Sequence, residues 1–189
     1  MNKHTILVAA ALALGAGTAH AETFKWAAQT DPQTMDPHAV NSAPVLGFLN
    51  NVYEGLVRRG KDMSVEPALA ESWEPLGGNG WRFNLRRGVT FHDGAAFTAD
   101  DVLFSYERAS SEAADTASWF APVSDVTVVD DFTIDFLTIA PNPIFPDSIA
   151  NFMIMDKGWA EANGVELPAK DAERFRLRML RLMLAAEQD

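Results

Sequence analysis

The sequence predicts a mixed α/β domain, and three features carry that expectation. Residues 69–85 and 123–138 each read as a strand, a tight turn and a second strand, with apolar and polar side chains alternating. Between them lies a capped, amphipathic helical pattern from Thr98 to Arg108.

In chain order, the first 21 residues stand apart from the fold. Lys3 and His4 precede an apolar run at 6–14, and Ala19-His20-Ala21 places small residues just before Glu22. This is the layout of a secretory signal peptide, with cleavage expected after Ala21. The run falls well short of the ~20 residues that a membrane-spanning helix needs. Residues 24–28 alternate briefly and read as a short strand. Asp31-Pro32 and Asp36-Pro37-His38 mark a loop, because proline pushes the residue before it out of the helical region. Ser42-Ala43-Pro44 then offers a cap and a proline suited to a first helical turn. Val45, Leu49, Val52 and Leu56 put one apolar stripe on the helix that follows, and Gly60-Lys61-Asp62 closes it as a turn.

Gly77-Gly78-Asn79-Gly80 is a hairpin turn between strands at 69–73 and 81–85, with Trp81, Phe83 and Leu85 on one face. Asp93-Gly94 makes another turn. In Thr98-Ala99-Asp100-Asp101 the spacing is that of a capping box, with Asp where Glu or Gln is usual. Val102, Leu103 and Tyr106 supply that helix with its buried face. Residues 110–118 are small and polar, a loop, and Trp119-Phe120 follows in it. The second hairpin turns at Asp130-Asp131 and puts Phe132, Ile134 and Phe136 on one side. Pro141-Asn142-Pro143 and Pro146-Asp147 enforce irregular structure. Residues 158–163 form a helical turn or two, closed by Gly164.

The last 20 residues differ in character. Residues 170–189 hold Lys170, Arg174, Arg176, Arg178 and Arg181, out of 15 Lys and Arg in the whole chain. Phe175, Met179, Leu182 and Met183 line one side of this basic amphipathic pattern. Such a helix suits a membrane surface or a partner. The preferred expectation is sequence foreign to this fold, as from a reading-frame shift in a GC-rich gene.

Composition removes several function classes. The chain has 189 residues, 48% of them hydrophobic and 22% charged, which is ordinary globular composition. A net charge of -11 argues against nucleic-acid binding, which needs a basic face for the phosphates. With no cysteine there is no disulfide framework, thiol nucleophile, Cys-ligated metal or lipid-modified N-terminal cysteine. Of the four histidines only His38 and His92 follow the signal. His92-Asp93 reads as a strand-end turn, and His38 as a loop residue. A secreted hydrolase using His92 and Asp93 with a serine such as Ser105 is the alternative class. The loop pair Trp119-Phe120 either walls a small-ligand pocket or plugs the edge of the local core.

Three runs carry a resemblance to a known family. They are Val65-Glu66-Pro67-Ala68-Leu69-Ala70-Glu71-Ser72-Trp73, Trp81 through Gly94 (Trp81-Arg82-Phe83-Asn84-Leu85-Arg86-Arg87-Gly88-Val89-Thr90-Phe91-His92-Asp93-Gly94), and Phe97-Thr98-Ala99-Asp100-Asp101-Val102-Leu103-Phe104-Ser105-Tyr106. Together with Met35-Asp36-Pro37-His38 and Tyr53-Glu54-Gly55-Leu56-Val57, they resemble the extracellular solute-binding protein family 5. These are the dipeptide-, oligopeptide- and nickel-binding proteins of ABC importers. The resemblance implies an α/β fold of the type II periplasmic binding protein kind, whose two lobes close on a ligand. It assigns residues 22–169 to part of lobe I plus a small extra subdomain, with lobe II missing and a truncated or frame-shifted product expected. It implies a periplasmic, monomeric, non-enzymatic binding component without cofactor or metal. Its partners are a peptide or small solute and an inner-membrane permease. By position it nominates Asn41, Ser42 and Trp119 as ligand-binding residues.

Overall fold

The structure, a computed structural model, describes residues 32–168. The expected signal peptide, the strand at 24–28 and the basic tail lie outside the described residues.

Both expected hairpins form, and the tertiary structure joins them into one sheet. Strands β3 (Ala70–Pro75) and β4 (Gly80–Leu85) make the first, β5 (Val123–Asp130) and β6 (Thr133–Thr138) the second. Antiparallel pairing of β4 with β6 gives a four-stranded sheet of order β3-β4-β6-β5. Its register sets Phe83 opposite Ile134 and Trp81 opposite Phe136. Phe83, Ile134 and Phe136 are fully buried, while Trp73 and Trp81 are only half-buried against this core. On the polar face Arg82 lies opposite Asp135 and donates to both carboxylate oxygens at 2.8 Å. Between β3 and β4 the chain turns through Gly77 (φ 50°) and Gly78 (φ 24°), backbone that glycine adopts without a Cβ clash.

Helix α2 (Ala99–Ser110) covers the apolar face of the sheet. The expected cap is present: the Asp101 carboxylate accepts from the Thr98 N–H at 2.9 Å and from its hydroxyl at 3.2 Å. Val102 is buried as expected, but Leu103 and Tyr106 are only half-buried. Asp101, Phe104, Ser105 and Arg108 form a second buried side, which the apolar pattern does not show.

Two expectations need correction, and the structure adds one small hairpin. Helix α1 (Ala43–Leu49) starts at the expected cap, Ser42, but stops seven residues before Leu56. The Asn51 amide donates to the carbonyls of Gly47 and Phe48, closing the helix and competing with its continuation. Leu56 is fully buried, but next to β1 (Val57–Arg59), which pairs with β2 (Val65–Pro67). That small hairpin leaves no mark in the sequence, because strands of three residues are too short to display a period. Finally, Pro146 sits in the first turn of α3 (Phe145–Ser148), where its missing N–H costs nothing. Helix α4 (Lys157–Asn163) meets expectation, ending at Gly164 with φ 64°.

Candidate functional site

The loop that carries two of the three nominated residues is anchored from beneath by a buried polar cluster. Asp36, His38 and Arg108 are each no more than 1% exposed. Arg108, on the buried side of α2, donates to both oxygens of Asp36 at 2.7 and 2.6 Å, a two-pronged ion pair. The same Asp36 carboxylate accepts from the His38 N–H at 3.0 Å, and Thr34 accepts from the Asp36 N–H at 3.0 Å. An Asx turn of this kind is what an Asp-Pro-x sequence favours.

The histidine tautomer follows from its neighbours. Arg108 Nη1 lies 3.1 Å from His38 Nδ1, and a guanidinium can only donate, so Nδ1 accepts. Nε2 therefore carries the proton and donates to the Met153 carbonyl at 2.9 Å. Burial, followed by the Arg108 charge, lowers the His38 pKa to about 4; the Asp36 charge and the Met153 carbonyl oppose the shift. Nearby Tyr53, which donates to the Met35 carbonyl at 3.1 Å, has its hydroxyl pKa raised by burial and then by Asp36.

A consequence for stability can be checked. The unfolded histidine takes a proton near pH 6.5 and the folded one only near 4, so between these values the unfolded state binds more protons. Stability is therefore constant above pH 6.5 as far as this group is concerned, and falls as the pH drops toward 4. Urea midpoints of the parent chain measured across that window should decline more steeply than those of a His38→Gln variant. Parallel declines would contradict the assignment.

From this anchor the loop reaches Trp119. The His38 carbonyl accepts from the Asp115 N–H at 3.1 Å, tying it to the turn before the tryptophan. The imidazole stacks on Phe152 at 6.1 Å, and Phe152 meets Phe120 edge-to-face at 4.9 Å. Val40 and Trp119 pack against the same apolar cluster of Val45, Leu46, Leu49 and Met153. Asn41 is exposed; Ser42 is half-buried at the start of α1, where its hydroxyl makes no capping bond. Trp119 is half-buried on a 3-10 turn, Ala117–Phe120, whereas Phe120 is 3% exposed in the core. Phe120 thus fills the core, while Trp119 packs at its edge with part of its surface outside.

Elsewhere a groove of about 940 Å³ runs past Tyr53, Glu54, Phe91, His92, Asp156 and Trp159. Asp156 caps α4 by accepting from the Trp159 N–H at 2.8 Å, and its other oxygen, Oδ2, is buried without a partner among the described residues. Desolvation, reinforced by the charges of Asp93 and Asp101, raises its pKa. Asn41, Ser42 and Trp119 do not line this groove.

The hydrolase arrangement is not assembled. His92 and Asp93 are exposed in a turn, where Asp93 accepts from the Ala95 N–H at 2.9 Å. Ser105 is fully buried, and its hydroxyl both accepts from the Met155 N–H at 2.9 Å and donates to the Met155 carbonyl. Among the described residues no group of three or more His, Asp or Glu side chains is placed to hold a metal ion. Sequence reasoning misses Arg108, which reads in the chain only as the end of a helix. The available signal is its place at helical spacing with Asp101, Phe104 and Ser105, a stripe that mixes an aromatic ring with polar side chains.

Comparison with known proteins decides the family. Residues 64–174 match the model of the bacterial extracellular solute-binding proteins, family 5. The chain belongs to this family. Among its relatives, the periplasmic oligopeptide-binding protein OppA of Escherichia coli is 27% identical over 161 residues, covering 74% of this chain and 29% of OppA. The probable deoxycholate-binding periplasmic protein YgiS of Escherichia coli is 37% identical over 101 residues, which is 53% of this chain and 18% of YgiS. The ABC transporter-associated periplasmic binding protein DppA from Helicobacter pylori, solved with the peptide STSA, superposes with a TM-score of 0.59. It is 28% identical, with 70% of this chain and 31% of DppA covered. This family 5 chain thus has the mixed α/β fold of periplasmic binding proteins over about 30% of their length. These relatives are binding proteins.

Proposed function

We propose that this chain provides part of the periplasmic substrate-binding component of an ABC importer for peptides or related small solutes. It works by binding rather than turnover, and its partner is an inner-membrane permease. Residues 1–21 direct export, with cleavage after Ala21, and residues 22–169 form the solute-binding part. Residues 170–189 lie beyond it. The ligand meets Asn41, Ser42 and Trp119. One observation supports the reading: in this family 5 chain the Asp36-Pro37-His38 loop is held by buried hydrogen bonds, and Val40, just before Asn41, packs on the same apolar cluster as Trp119. Oligopeptide and deoxycholate appear among the relatives' names, so the solute class is a peptide or a comparably amphipathic small molecule.

The chain spans about 29% of OppA, so the contacts it offers one ligand are a fraction of those in such a protein. Calorimetric titration with di- and oligopeptides is expected to show no micromolar binding by this chain alone. At millimolar trialanine, amide resonances at 40–42 and the Trp119 indole should shift, and Trp119→Ala should abolish the change. Shifts confined to the groove around Phe91 and Trp159, or none at all, would count against the site.

A further inference from the structure

We infer that Arg108 is a positioning residue: its one guanidinium sets the 38–42 loop and couples it to the segment that follows α4. The assignment of that loop as ligand-facing rests on the reading above; the coupling does not. All five guanidinium N–H groups are engaged. Nη1 serves Asp36 Oδ1 and His38 Nδ1, Nη2 serves Asp36 Oδ2 and the Leu167 carbonyl (3.2 Å), and Nε serves the Val165 carbonyl (3.1 Å). Two segments distant in sequence, 36–38 and 165–167, are thereby hydrogen-bonded to one rigid planar group.

The geometry asks more than charge neutralisation. An ion pair buried on both sides is a weak source of net stability, since apolar residues of similar volume often serve as well. What a guanidinium adds is direction, because its donors leave in a fixed plane. Met35 and Val165 also pack on a common apolar cluster, but apolar contact tolerates sliding, whereas five directed hydrogen bonds do not. The constraint passes to the loop through the imidazole, clamped at Nδ1 by Arg108 and at Nε2 by the Met153 carbonyl. Asn41 and Ser42 follow within four residues. A lysine could meet Asp36 but could not also reach His38 and both carbonyls.

The test is amide hydrogen exchange of the full chain without ligand, at neutral pH. Asp36→Asn alters only the loop side, yet it should speed exchange at 164–167 by roughly tenfold, because Arg108 loses the charge that aims it. Arg108→Lys keeps the charge and should speed exchange at both 38–42 and 164–167 by a clearly larger factor than at the sheet amides of Phe83, Ile134 and Phe136, which report only the global loss of stability. The inference is overturned if Asp36→Asn leaves 164–167 at the parental rate, if lysine restores both segments, or if the sheet accelerates by the same factor. Arg82→Lys, acting on the sheet's own ion pair, should leave both segments as they were. A trialanine titration of the same proteins separates the two claims. If the parent chain responds and Arg108→Lys does not, the loop is both positioned and ligand-facing. If the parent shows no response, the ligand reading fails, while the exchange rates still decide the coupling.

Discussion

Arg108→Leu is expected to lower the unfolding free energy by about 3–5 kcal/mol, the usual cost of removing one partner from a buried ion pair. The size follows from what is left behind. Asp36 would remain fully buried with its carboxylate facing an isobutyl group, and the Val165 and Leu167 carbonyls would lose their donor. Neither the Thr34 hydroxyl nor the local turn can replace a cation. Urea unfolding at pH 7, followed by tryptophan fluorescence, measures the loss. The double variant Arg108→Leu, Asp36→Leu should recover part of it, because an apolar pair leaves no buried charge. If the double variant were as unstable as the sum of both single changes, the pair would not be the reason.

Phe136→Ala is expected to cost about 3–5 kcal/mol by a different route, lost burial plus the cavity left behind. Phe136 is fully buried on β6, a central strand of the sheet. Its ring meets Phe83 edge-to-face at 5.6 Å and Tyr106 at 5.8 Å, and lies tilted against Phe145 at 5.5 Å. Those partners come from a neighbouring strand, from α2 and from α3, so they cannot all close on the space. Thermal unfolding by circular dichroism reads the change. A loss below about 1 kcal/mol would mean that the joined sheet face is not the core.

Features with a local cause are legible in the amino-acid sequence. The Thr98 cap is a contact between residues three apart, and Gly164 ends α4 because glycine tolerates φ 64°. The two hairpins announce themselves because period-two alternation and turn residues lie within some fifteen positions of each other. Ser42 is the cap residue of α1 and Trp119 packs on the apolar cluster that this helix supplies, but their nomination as ligand residues comes from family position, not from a local pattern. The end of α1 is illegible because Leu56 continues the helical stripe by coincidence, while the Asn51 amide stops the helix.

Composition, local caps and turn chemistry are properties of neighbouring residues, so a linear reading reaches them. The pairing of β4 with β6 is another matter, since two strands separated by α2 can be set in register only by side chains that share a core. The same holds for Arg108, Asp36 and His38. Each alone is an ordinary polar residue on a helix or in a loop. Only burial makes them a cluster, because water would satisfy every one of them separately, and its exclusion forces them onto each other.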